Sequence, residues 1–238
     1  MDWNRYEQGA GWTVLSDGRI IAQNRAQKEA RLESIEVHGL ACGKSGYEYR
    51  TPGKPKSMLQ LYRDYAPIIE EASVRFDVPM YQILACIGIE ATRLPSDRLR
   101  FNPRSVREEP GYLSDSRTPN KVSPGLMQTL LSTARGCLSD VPELDEHAAL
   151  TREDLFVPRY SILLGCAYMR RQIERIELDE RGFDPADPIL NLVAAYNAGS
   201  VRKTTSNRWH LVTYSDHRID RYMAWNNDAI AMLADLRT

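Results

Sequence analysis

The stretch from Met80 to Arg93, MYQILACIGIEATR, constrains the fold more than any other part of the chain. It carries no charge between Ile83 and Ile89, and this apolar content predicts a buried helix. Glu90 follows directly, seven residues after Ile83, so its carboxylate lies on the same stripe as apolar side chains. A carboxylate on a buried stripe is costly unless other groups satisfy it.

Glu90 therefore has two interpretations. Burial would raise the pKa of its carboxyl group, because desolvation disfavours the charged form. A raised pKa is what a general acid needs at neutral pH. The alternative is a glutamate at a helix end that turns to water and has no chemical role.

The charge balance of the chain excludes several classes of partner. The chain has 238 residues, with 31 Lys and Arg against 32 Asp and Glu, and its formal net charge is -1. A nucleic-acid binder would need an excess of positive charge, and no polybasic segment is present for an anionic membrane. No apolar run approaches the roughly 20 residues of a membrane span. We expect neither a nucleic-acid partner nor membrane insertion.

The cysteines give no sign of a metal site or a disulfide framework. Cys42, Cys86, Cys137 and Cys166 form no CxxC pair and have no metal-ligand spacing with the four histidines. The last three sit in apolar helical contexts and are predicted to be small core residues. No Gly-rich phosphate loop or dinucleotide fingerprint is present. The sequence predicts no metal and no cofactor.

Residues 1–56 differ from the remainder and predict an N-terminal extension of hairpin, helix and loop. The segment GWTVLSDGRIIA fits two short strands joined by a turn at residues 16–18. Asn24–Val37 is polar and fits a solvated helix. The extension could bind a wall or a partner, but no repeat or aromatic ladder supports binding. We favour a packing extension or an N-terminal arm.

Residues 57–238 carry helical periodicity and predict a single mainly α-helical domain. Prolines divide it, because proline is favoured in the first turn of a helix. The weakly periodic stretch 94–122 predicts a long loop, interpreted as a wall or lid beside a cleft. The predicted helices begin at Pro67, Pro79, Pro124, Pro158 and Pro188, and a last one begins near Asp216.

Three short segments stand out when they are taken in order. Glu90 lies at the end of the apolar helix, and Gly125–Gln128 (GLMQ) is predicted to begin a helix directly after the loop. Ala195–Gly199 (AYNAG) is predicted to end a helix with a phenol and an amide. An FNP segment at 101–103 lies between the first two. Each segment alone fits an ordinary helix start or a core position, but the ordered set is specific.

This ordered set resembles the soluble lytic transglycosylases, the catalytic domain type of glycoside hydrolase family 23, which is related in fold to goose-type lysozyme. The resemblance covers about residues 60–225. The chain departs from the family pattern at Ala91, where Ser is usual, and in the longer stretch between Glu90 and Gly125. The resemblance implies that residues 57–238 form a lysozyme-like helical domain with a cleft for peptidoglycan glycan strands.

The resemblance also implies a mechanism. Glu90 would be the single catalytic acid and base, and Met127 and Gln128 would line the sugar site. Asn197 would bind N-acetyl or hydroxyl groups, and Tyr196 would hold the Glu90 carboxyl. The expected reaction cleaves the MurNAc–GlcNAc β-1,4 bond with help from the N-acetyl oxygen. The C6 hydroxyl then attacks C1 and leaves a 1,6-anhydro-MurNAc end.

Two other functions fit the same segments. One is a hydrolytic lysozyme, or muramidase, of the same fold, and the other is a non-catalytic wall-binding or assembly protein. The first residues carry charges where a signal peptide needs an apolar core. We therefore expect synthesis in a cytoplasm without a signal peptide, followed by release or delivery to the cell wall in the periplasm. A phage-type enzyme would suit this route.

Overall fold

A computed structural model of the chain shows a mainly α architecture, which confirms the predicted fold class. The structure describes residues 12–14, 19–22, 40–41, 47–48, 56–91, 101–144, 150–177, 188–202, 204, 211–213 and 218–237. The α-helices of these ranges are α1 (Lys56–Phe76), α2 (Met80–Ala91), α3 (Leu131–Gly136), α4 (Arg152–Leu155), α5 (Pro158–Glu177), α6 (Pro188–Ala198) and α7 (Arg218–Asp235). Short 3-10 turns lie at Pro119–Lys121, Leu138–Asp140 and Pro142–Leu144. None of these helices has both the length and the apolar content of a membrane span.

The strands form two small antiparallel sheets. The strands are β1 (Trp12–Val14), β2 (Ile20–Ala22), β3 (Leu40–Ala41), β4 (Tyr47–Glu48), β5 (Val106–Glu108) and β6 (Val122–Pro124). One sheet has the order β1-β2-β4-β3, and the other pairs β5 with β6. The pairing of β1 with β2 confirms the predicted hairpin. Its turn at 16–18 and the helix predicted at Asn24–Val37 lie outside the described residues.

The chain divides into two compact units. Met1–Leu59 together with Gln172–Thr238 form one unit, and Gln60–Arg171 form the other. The division predicted from composition, between residues 1–56 and 57–238, stays a prediction.

Helix α2 confirms the prediction made for the uncharged stretch. Seven successive residues, Gln82–Gly88, are buried, so this part of the helix has no solvent face. A helix that is apolar on all sides belongs in the core. Asp77, with φ of 51°, lies between α1 and α2, just before the helix start predicted at Pro79.

The predicted start of the preceding helix at Pro67 was wrong, because Pro67 lies inside α1. A proline in a helix interior removes one backbone hydrogen bond and costs about 3 kcal/mol. Met58 and Leu61, in the part of the helix before Pro67, are fully buried. Burial of each such side chain contributes about 1.5–3 kcal/mol, which offsets the cost of the proline.

Three cysteines are buried, as predicted for small core residues: Cys86, Cys137 and Cys166. Burial raises the pKa of the Cys137 thiol to about 11 and raises that of Cys166 above its usual range. Both thiols therefore stay protonated at neutral pH and act as packing groups. Cys42 lies outside the described residues.

The carboxamide of Asn227, on α7, completes the hydrogen bonding of β2. The Ile20 N–H donates to Asn227 Oδ1 over 2.8 Å, and Asn227 Nδ2 donates to the Ile20 carbonyl over 2.6 Å. In the described register, β4 pairs with Ile21 and Ala22. The side chain thus takes the place of a neighbouring strand at Ile20. Both Ile20 and Asn227 are fully buried, which favours the interpretation of the extension as a packing element.

We expect Asn227→Ala to lower the free energy of unfolding by about 1–3 kcal/mol, because it leaves a buried N–H and C=O of Ile20 without their partner. Chemical denaturation of the full chain measures the effect. Asn120→Ala is the control, since Asn120 is exposed and should change stability by less than about 0.5 kcal/mol. Equal free energies of unfolding for the two variants would contradict the role of Asn227 as the hydrogen-bond partner of Ile20.

Candidate active site

A tight turn at Gly125–Gln128 follows β6 directly. Gly125 has φ of 85° and Gln128 has φ of 48°, both in the left-handed region. The helix predicted to begin at Pro124 was therefore wrong, because α3 begins only at Leu131. Pro124 instead pairs with Val106 in the β5–β6 ladder. The predicted loop at 94–122 likewise contains β5 and the first residue of β6.

Glycine is required at position 125 for two reasons. A Cβ atom there would lie 2.1 Å from the Leu155 carbonyl oxygen and 2.6 Å from Ser161 Oγ. The left-handed backbone also disfavours any side chain. The Gly125 N–H donates to the Ser105 carbonyl over 2.8 Å, which joins the turn to the segment before β5.

Met127 anchors the turn to α5. Its side chain is fully buried, and it lies so close to Gly165 that a Cβ there would be 2.7 Å from Met127 Cβ and Cγ. The Met127 N–H donates to Ser161 Oγ over 3.1 Å. This position makes Met127 a packing residue, and its predicted contact with a sugar stays a prediction.

Gln128 presents a hydrogen-bond acceptor. Its Nε2 donates to the Ser105 carbonyl over 3.0 Å and to the Gly125 carbonyl over 2.7 Å. Because both neighbours are acceptors, the network fixes which end of the carboxamide is nitrogen. In the described part of the chain, Oε1 of this half-buried side chain accepts no hydrogen bond. A left-handed non-glycine residue is uncommon, and such residues cluster at functional sites.

Glu90 lies in the last turn of α2. The residues three and four positions before it, Ile87 and Cys86, are buried, and Glu90 itself is half-buried. The negative end of the helix dipole lies at this terminus. Glu90 and Gln128 belong to the same compact unit. The predicted helix is confirmed, and the catalytic role stays a prediction.

Tyr196 and Asn197 lie at the end of α6, as predicted. Gly199, with φ of 78°, follows the helix and ends it. Both side chains are half-buried. They belong to the compact unit that contains the two ends of the chain, and their approach to Glu90 stays a prediction.

The turn at 125–128 and the helix end at 196–197 both lie in a stretch that is similar to a known family. Residues 99–213, a little under half of the chain, match the family described as Transglycosylase SLT domain. Over these residues the chain is similar to the SLT domain, which confirms the resemblance to a soluble lytic transglycosylase domain read from the sequence. The SLT match begins nine residues after Glu90 and does not include it. A comparison with curated protein sequences gives no match.

The stretch that matches the SLT family also contains a cluster of charged and phenolic side chains that was not predicted from the sequence. Arg152, at the start of α4, donates from Nη2 to Asp115 over 2.8 Å and from Nη1 to Glu108 over 2.9 Å. It also donates to Tyr112 Oη, and Tyr112 Oη donates to Asp115 over 2.7 Å. Hydrogen bonds from Arg152 and then Tyr112 lower the pKa of the Asp115 carboxyl. These contacts hold residues 109–121, which are part of the stretch 94–122 interpreted from sequence as a wall or lid.

We expect Arg152→Met to raise amide hydrogen-exchange rates in residues 109–121 about tenfold, because a charge-assisted hydrogen bond contributes about 1.5–3 kcal/mol. Asp115 has a lowered pKa when folded. It therefore stabilises the protein above its unfolded pKa, about 3.9, and loses this effect as the pH falls through the folded value. The free energy of unfolding should therefore fall less below about pH 4 in Arg152→Met than in wild type.

The control for this variant is Arg104→Met. Arg104 pairs with Glu153 across a surface where their side chains are 70% and 66% exposed, and such pairs contribute little. Unchanged exchange in both variants would show that the Arg152 cluster does not hold the segment.

Within the described ranges, no three His, Cys, Asp or Glu side chains come together in a way that could hold a metal ion.

Proposed function

We propose that the chain is a peptidoglycan lytic transglycosylase that cleaves the MurNAc–GlcNAc β-1,4 bond and leaves 1,6-anhydro-MurNAc ends. The match of residues 99–213 to the SLT family carries this proposal. Glu90 is the single general acid and base in the proposed mechanism, with no metal or cofactor. Release or delivery of the enzyme, for example by a phage, would bring it to the wall.

The position of Glu90 supports its proposed role as an acid. A half-buried carboxyl at the C-terminal end of a helix is easier to keep protonated than an exposed one, because burial and the helix dipole both disfavour the charge. The family resemblance assigns to the Tyr196 phenol the role of orienting this carboxyl group. A phenol adds no formal charge, so it would orient Glu90 without forcing it to stay ionised.

The proposed reaction has two proton transfers, and the second gives Glu90 a proton in place of the one that it gave in the first. Protonated Glu90 gives its proton to the glycosidic oxygen, and the GlcNAc product leaves while the neighbouring N-acetyl oxygen stabilises C1. The C6 hydroxyl oxygen then bonds to C1, and the Glu90 carboxylate takes the proton of that hydroxyl. No water is consumed, and the enzyme ends in its starting state. An internal nucleophile has a high effective concentration, which removes the need for a second carboxylate.

Gln128 supports the substrate side of the proposal. Because both Nε2 protons are used by backbone carbonyls, its free Oε1 would accept a hydrogen bond from an acetamido N–H or a hydroxyl of the sugar. The family resemblance assigns to Asn197 the binding of N-acetyl or hydroxyl groups. A fixed polar group on a turn with strained backbone is typical of a binding site.

Digestion of purified sacculi in ¹⁸O-labelled water, followed by mass spectrometry of the fragments, tests the proposal. The expected product is 1,6-anhydromuramyl ends without ¹⁸O, because no water enters the bond. Reducing ends that carry ¹⁸O would instead identify a hydrolytic lysozyme. The same digestion with heat-denatured protein is the control for chemical breakdown of the wall.

A non-catalytic wall-binding protein is the second candidate. One observation favours it, which is that the SLT match begins after Glu90 and so excludes the proposed catalytic residue. Co-sedimentation of the protein with sacculi, together with the absence of any new glycan ends, would support this candidate over the enzyme.

A further inference from the structure

We propose that Ser161, on α5, is a positioning residue that holds the Gln128 carboxamide in its binding orientation. The inference rests on the proposed function, since it concerns the residue through which that site would recognise a glycan. Ser161 is 2% exposed and is therefore enclosed by the protein. Ser161 would therefore affect the substrate only through the turn at Gly125–Gln128.

Ser161 lies directly against the turn. Its Oγ accepts the Met127 N–H over 3.1 Å, and it would be 2.6 Å from a Cβ at Gly125. The hydroxyl therefore occupies the space that glycine leaves open. Ser161 therefore has two effects on the turn. It holds the backbone of Met127, the residue before Gln128, and it leaves no room for a side chain at position 125.

The left-handed backbone of Gln128 makes this contact important. A strained residue persists only when its surroundings determine its conformation. The Gln128 N–H reaches the Gly125 carbonyl over a long 3.4 Å, so the hydrogen bond within the turn is weak. The Met127 N–H bond to Ser161 restrains the peptide immediately before Gln128. Without that bond, the turn can relax and Gln128 can leave the Ser105 and Gly125 carbonyls.

The kinetic test compares Ser161→Ala with wild type on soluble glycan strands, well below the melting temperature of either protein. We expect KM to rise about tenfold with kcat nearly unchanged, because a lost binding contact weakens ground state and transition state equally. Ser132→Ala, on α3, is the matched control, since the Ser132 side chain makes no hydrogen bond in the described part of the chain. An unchanged KM with a lower melting temperature would show a purely structural role and overturn the inference.

A second measurement does not depend on activity. The side-chain amide protons of Gln128 should exchange slowly in wild type, because carbonyl groups accept both, and about tenfold faster in Ser161→Ala. Unchanged exchange would overturn the positioning role even if the wild type cleaves glycan. Absence of cleavage by the wild type, with the expected change in exchange, would reject the proposed function and keep the positioning role.

If Ser161→Ala does not fold, Ser161→Cys replaces it in both measurements. Sulfur is a weak acceptor, so this near-isosteric variant should raise KM and the Gln128 exchange rate in the same direction by a smaller factor. Values equal to wild type in both measurements would overturn the inference.

Discussion

Glu90→Gln should lower the rate of glycan cleavage by about 10²–10⁴-fold, the usual contribution of a general acid and base. The change replaces one oxygen of the carboxyl group with an NH₂ group of similar size, so binding of the glycan should be retained. Release of anhydromuramyl fragments from sacculi measures the rate. Glu153→Gln is the matched control, since Glu153 is 66% exposed and pairs only with Arg104 among the described ion pairs.

The melting temperature of the same variant should be measured, so that a lower cleavage rate of a folded protein can be assigned to the lost acid. Equal cleavage by wild type and Glu90→Gln would remove Glu90 from its catalytic role, whatever the stability result.

Gly125→Ala should lower the free energy of unfolding by roughly 2–5 kcal/mol. A left-handed backbone costs a residue with a side chain about 1–2 kcal/mol, and overpacking of a buried site adds about 1–3 kcal/mol. The added methyl would meet the Leu155 carbonyl oxygen at 2.1 Å, and a backbone atom cannot move aside as a flexible side chain can. Chemical denaturation measures the loss, and cleavage should fall with it because Gln128 moves.

Gly136→Ala is the control for this substitution. Gly136 lies at the end of α3, and a Cβ there meets no atom within 4 Å. Alanine should be neutral or stabilise the helix by about 0.5–1 kcal/mol. A Gly125→Ala variant as stable as Gly136→Ala would show that the turn can adopt another conformation.

Local patterns predicted the parts of the fold in which packing and local preference agree. The uncharged run before Glu90 gave α2 correctly, and Gly199 marked the end of α6 with its left-handed backbone. The turn at 125–128 could not be predicted in this way. Pro124 and Gly125 resemble the first residues of a helix, but pairing with Val106 and contact with Ser161 override that preference.

The Arg152 cluster was not predicted either, because its contacts join residues that are distant in the sequence. Arg152 lies 37 residues from Asp115 and 44 from Glu108 in the sequence, and neither spacing matches a helix or strand period. Such contacts depend on how the loop returns to α4, which a single sequence does not encode as a local pattern. The same holds for the candidate site. The motifs predicted its polar residues, but they did not predict that Ser105 and Ser161 hold Gln128.

The amide bridge between Asn227 and Ile20 has a consequence for biosynthesis. The two residues are 207 positions apart, so β2 leaves the ribosome long before the helix that completes its hydrogen bonds exists. Contacts between such distant residues slow folding, because the chain must close a large loop before they form. The first hairpin therefore lacks this partner until α7 has been synthesised, and chaperones that shield nascent strands should bind it during that interval.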